Sequence, residues 1–167
     1  TTNDTAWLAA DINSGSGGSG LGYWGGLVAV GTTLYFDASD GISGWELWAH
    51  DTVDGSTWLV ADIFSGPDGS TPGYYTRIKA FGTTLYFTAT DGITGYELWA
   101  HDTVGGSTWL VSDINSGSDS SLPGRYSGLT LVGTTLYFDA YDGNSGTELW
   151  AHDTQGSSVW QVYDINA

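Results

Sequence analysis

GTTLYFDASDGISGWELWAHDT, residues 31–52, is the stretch from which the architecture can be read. It returns as GTTLYFTATDGITGYELWAHDT at 82–103 and as GTTLYFDAYDGNSGTELWAHDT at 133–154, so the starts at 31, 82 and 133 set a period of 51 residues with no insertion. A period of that length, kept this rigidly, is the signature of a repeat architecture. Within each copy, β-branched and aromatic residues (Thr33, Leu34, Tyr35, Phe36) lead to an Asp-Gly turn at Asp40 and Gly41, and a second apolar run follows from Glu46 to His50. That is the pattern of a β-hairpin. In the first run Leu34, Phe36 and Ala38 alternate with Thr33, Tyr35 and Asp37, which predicts a sheet with one better-buried face.

Working outward, a Trp-centred run recurs as TAWLAADI (5–12), STWLVADI (56–63), STWLVSDI (107–114) and SVWQVYDI (158–165), so this strand is expected four times, the first as an N-terminal strand at 5–12. Gly/Ser-rich loops follow it, then an aromatic pair (Tyr23 and Trp24, Tyr74 and Tyr75, Arg125 and Tyr126), then short apolar runs beginning at Leu27, Ile78 and Leu129. Each period therefore holds four short antiparallel strands, the size of one β-propeller blade. The reading is an all-β single domain over 1–167, with repeats at about 13–63, 64–114 and 115–165. Closed propellers use about four to eight blades, so three are expected to form part of a ring completed by a second chain. A β-trefoil or β-prism, each complete in one chain, is the alternative.

Glu46-Leu47-Trp48 with Asp51-Thr52, then Gly55-Ser56-Thr57 and Leu59-Val60-Ala61-Asp62-Ile63, resembles the bacterial ELWxxDGT repeat family, and the resemblance extends over nearly the whole chain three times. It implies propeller-like blades and a place outside the cell or on its surface. The chain begins at Thr1 and contains no Met, which suits a processed secreted protein or an excised segment.

A net charge of −16, with Arg77, Lys79 and Arg125 the only Lys and Arg side chains, repels phosphate backbones and anionic lipid, so nucleic acid is not an expected partner. No apolar run reaches the roughly 18 residues a spanning helix needs, and membrane insertion is not expected. There is no Cys for a disulfide framework or for thiol chemistry.

Three groups of residues could carry chemistry. His50, His101 and His152 occur once per repeat and could meet on one metal, but equivalent positions on separate blades are far apart, and such a histidine more often makes one hydrogen bond. Asp40 with Glu46, Asp91 with Glu97, and Asp142 with Glu148 flank each hairpin turn and could hold Ca²⁺ through hard oxygen ligands. Plain hairpins also use Asp at the turn. As paired carboxylates they would suit glycoside hydrolysis poorly, because three near-identical copies cannot give an acid and a base different environments. No enzyme and no required cofactor is expected.

Aromatics vary inside the otherwise rigid repeat. Trp45, Tyr96 and Thr147 share one position, Tyr23, Tyr74 and Arg125 a second, and Trp24, Tyr75 and Tyr126 a third. Exposed rings beside Asp and Ser oxygens suit a neutral sugar, whose C–H groups stack while its hydroxyls find acceptors. The same rings would also suit a chain-to-chain interface. The expectation is a multivalent, non-enzymatic module binding glycans or a cell-surface polymer through Trp45, Tyr96, Trp24, Tyr75, Tyr126, Tyr23 and Tyr74. A structural or adhesive extracellular repeat, stabilised by calcium, is the alternative.

Overall fold

A computed structural model describes residues 6–165. Its strands fall into three separate antiparallel sheets of four. The first holds β1 (Leu27–Val30), β2 (Thr33–Ser39), β3 (Trp45–Asp51) and β4 (Thr57–Ala61), and the second β5 (Lys79–Phe81), β6 (Thr84–Thr90), β7 (Tyr96–Asp102) and β8 (Thr108–Ser112). The third holds β9 (Thr130–Val132), β10 (Thr135–Tyr141), β11 (Thr147–Asp153) and β12 (Val159–Tyr163). In every sheet the strands lie side by side in chain order. These are the blades of a β-propeller, which sets aside the trefoil and the prism.

The local sequence explains the blade. The Asp40 carboxylate accepts from Ile42 N and Ser43 N, both at 2.8 Å, an Asx turn that closes the β2–β3 hairpin, and Asp91 and Asp142 do the same in their repeats. That turn fixes the register in which Phe36 faces Trp48 and Asp37 faces Leu47. A bulge between Leu47 and Trp48, repeated at Leu98/Trp99 and Leu149/Trp150, adds twist where the last strand joins.

Blades stack face to face. Tyr35, Leu47 and Ala49 of the first blade, with Val60 and Ile63, pack on Ile78, Leu85, Phe87 and Ala89 of the second. Tyr86, Leu98 and Ala100 pack in the same way on Leu129, Leu136, Phe138 and Ala140 of the third. Stacking overrides the expected alternation. In β2 and β6 four or five consecutive residues are buried because both faces are covered, whereas β10, with a neighbour on one side, alternates as expected.

The N-terminal copy departs from expectation. Residues 6–12 do not form a strand: they lie along the first blade's outer face without ladder pairing, and Trp7 is 83% exposed against 38–41% for Trp58, Trp109 and Trp160. Its three counterparts pair with the third strand of their own blade, and no such strand precedes this copy among the described residues. Thr5 lies outside them.

Candidate functional site

One side chain on each second strand builds the aromatic loop. Asp37 on β2 is fully buried and its carboxylate accepts from Trp24 N at 3.0 Å and Gly25 N at 2.6 Å. Burial raises its pKa, and the two loop amides and nearby Arg77 pull the other way. Thr88 holds Tyr75 N and Thr76 N at 3.3 Å, and Asp139 holds Tyr126 N at 3.2 Å and Ser127 N at 2.8 Å. Sequence reasoning missed these positioning residues. Their signal was an acid or hydroxyl in the middle of a strand that is otherwise apolar.

A second set of rings comes from the start of β3 and β7. The Trp45 ring lies over Gly20, where a Cβ would fall 2.0 Å from its Cη2. One period on, the loop residue is Thr71, whose hydroxyl is 2.9 Å from Tyr96 Oη. The backbone at Gly20, Thr71 and Leu122 is left-handed, with φ of 59°, 47° and 54°. A β-branched Thr at such a φ is strained, and the strain sits beside the rings it positions.

These elements join into one ridge. Tyr23 meets Trp24 edge to face at 4.5 Å, Trp24 meets Trp45 at 6.4 Å and Tyr74 at 4.3 Å, and Tyr74 stacks on Tyr96 at 5.8 Å. Tyr75 stands edge-on to Tyr96 at 5.1 Å, and the Arg125 guanidinium lies 5.4 Å from the Tyr75 ring centre and 5.3 Å from that of Tyr126. All seven aromatic positions expected from sequence thus belong to one contact chain crossing three blades. Their roles divide: Trp24, Trp45, Tyr75 and Tyr96 are half-buried, while Tyr23, Tyr74 and Tyr126 are the exposed rings.

The acidic pairs occupy different surroundings. Glu46 is fully buried and accepts from Ile63 N, Phe64 N, Ser70 N and Ser70 Oγ, so it ties the loop leading to the second blade, while Asp40 holds its own turn. Glu97 accepts from Ile114 N, Ser121 N and Ser121 Oγ, and Glu148 accepts from Ile165 N. Burial pushes the Glu46 and Glu97 carboxyls up to about 7. Asp142 lines a polar cleft of about 430 Å³ with Asp119, Asn115 and Asn144; Glu148 does not line it. Among the described residues no three His, Asp or Glu side chains form a group suited to a cation.

His50 and His101 each face a threonine hydroxyl, at 2.7 Å from Thr57 and 2.8 Å from Thr108, and His152 faces Ser158 O at 3.2 Å. His101 and His152 pack against Tyr35 and Tyr86 of the preceding blade, and desolvation lowers their pKa.

No family model and no curated protein matches the sequence. Among solved structures the chain is similar to a puromycin hydrolase, with 15% identity and a TM-score of 0.54 over 77% of this chain and 18% of that one. It is also similar to a puromycin-hydrolyzing peptidase of Mycobacterium tuberculosis, with 16% identity and a TM-score of 0.52 over 80% of this chain and 19% of that one. The chain spans under a fifth of the length of either, and the likeness is one of fold.

Proposed function

We propose that the chain is a non-enzymatic carbohydrate-binding propeller module, multivalent because its aromatic loop repeats, acting outside the cell or on its surface on glycans or a surface polymer. The observation that carries this reading is the ridge: seven aromatic side chains from three blades in one contact chain, with Tyr23, Tyr74 and Tyr126 presenting rings to solvent. Stacked sugar rings need such faces, and weak single sites gain avidity by repetition.

Titration with a glycan panel tests it, because Trp24 and Trp45 lie in the ridge and should report by fluorescence. Tyr74→Ala, at the ridge centre, is expected to weaken binding about 5-fold, and Trp45→Ala several-fold through loss of the support beneath Tyr23, both without unfolding. If no glycan alters the fluorescence at millimolar concentration, the sugar reading is dropped. The second reading, a structural or adhesive repeat stabilised by calcium, draws on the faces of the first and third blades on which no other blade stacks, where Leu27 and Leu149 are exposed. A melting curve that falls when EDTA is added favours it.

A further inference from the structure

We propose that the faces of the first and third blades on which no other blade stacks are two halves of one interface, and that the occupant of each is a second copy of this chain, two chains closing a six-bladed ring. The internal junctions show what covers such faces. Leu47 and Leu98 are fully buried under the next blade, whereas Leu149 at the equivalent place in the third blade is 41% exposed. On the opposite face Ile78 and Leu129 are 4% and 6% exposed, and their counterpart Leu27 in the first blade is 58% exposed. These two faces, the third blade's open one and the first blade's, which only residues 6–12 cover, are thus the two complementary sides of a junction the chain already makes twice.

A hydrogen bond divided between the same blades points to the same pairing. At the first junction Ser70 donates its N–H and hydroxyl to Glu46, and at the second Ser121 donates both to Glu97. One period further, Glu148 holds Ile165 N, and among the described residues no serine donates to it. One period earlier, Ser19 keeps the backbone half of the pattern, accepting from Ser39 N at 3.0 Å as Ser70 accepts from Thr90 N and Ser121 from Tyr141 N. Among the described residues no carboxylate takes up its own N–H and hydroxyl as Glu46 and Glu97 take up those of Ser70 and Ser121. Docking the third blade on a first blade brings Glu148 to Ser19 of the partner subunit and completes the bond a third time. Three blades from each of two chains give six, within the range that closes a ring.

The ring has a competitor inside the chain. Ala9 and Ile12 are the copies of Val60 and Ile63, which pack on the second blade, and Leu8, Ala10 and Ile12 lie over Leu27, Leu34 and Phe36 across an apolar cleft of about 260 Å³. The N-terminal strip therefore covers the first blade loosely, without ladder bonds, in the place the incoming Val162 and Ile165 would take. Pairing displaces it.

Light scattering on the 167-residue chain in moderate salt, which screens the charge of −16, is expected to give about twice 17.6 kDa. Leu149→Asp is expected to raise the concentration needed for pairing at least 30-fold while leaving the circular dichroism unchanged, and Glu148→Ala to raise it about 10-fold. Ile12→Asp, which loosens the strip, is expected to lower it. A 17.6 kDa particle in the wild type at every concentration and salt, a three-chain mass, or full pairing by Leu149→Asp would overturn the proposal.

Discussion

Replacing Glu97 by alanine is expected to cost about 4 kcal/mol of stability, enough to unfold a chain of ordinary marginal stability in mild denaturant. The carboxylate is fully buried and three donors end on it, Ile114 N, Ser121 N and Ser121 Oγ. Without it those donors stay buried and unpaired, at about 1–3 kcal/mol each before relaxation. Glu148→Ala removes the same side chain from a site where, among the described residues, Ile165 N is the one donor bonded to it, and should cost about 1 kcal/mol. Urea unfolding of the two variants in dilute protein measures the difference; equal costs would show that the glutamate does not tie blade to blade.

The same residue sets a pH dependence. Glu46 and Glu97 bind a proton in the folded chain up to about pH 7 but release it near 4.5 when unfolded, so the stability they contribute is greatest below 4.5 and falls as pH rises to 7. His101 and His152, with pKa values lowered below 6.5, act in the opposite sense, since the unfolded chain takes up their protons first as pH falls. Glu97→Gln, which imitates the protonated carboxyl, should make the fall in stability between pH 5 and 7 shallower and leave the histidine contribution in place.

Blade identity was legible because strand periodicity, Asp-Gly turns and a rigid repeat all act within some 50 residues, and every hairpin and bulge recurs with the sequence that specifies it. What the sequence hid was whatever depends on the neighbouring blade. Tyr35 and Asp37 sit at positions that alternation assigns to a wetter face, and stacking buries both. The strand at 5–12 was expected from likeness to 56–63, yet a strand forms only where a third strand offers its edge. The aromatic positions were found because they vary inside a constant frame. Their union into one ridge was not, since Trp24 and Tyr74 are 50 residues apart and meet only when blades stack. The Asp and Glu of each hairpin, paired by proximity in sequence, serve different loops.

Gly95→Ala should be the more severe of two chemically identical changes. Gly95 and Gly146 occupy the same hairpin position one period apart and both have left-handed backbone, with φ of 71° and 84°. An alanine in that region costs about 1–2 kcal/mol at either site. At Gly95 the new Cβ would also lie 2.5 Å from Asp119 O, in the backbone of the loop entering the third blade, whereas at Gly146 nothing among the described residues lies within 4 Å. Backbone cannot swing aside as a side chain can, so the loop must shift, and with it the Ser121 contacts to Glu97. The expected loss is about 4 kcal/mol for Gly95→Ala against roughly 1 kcal/mol for Gly146→Ala. Thermal melts of dilute protein decide it. Two equal decreases in Tm would mean that the loop into the third blade does not press on the hairpin, and the tie between second and third blades would then rest on the apolar faces alone.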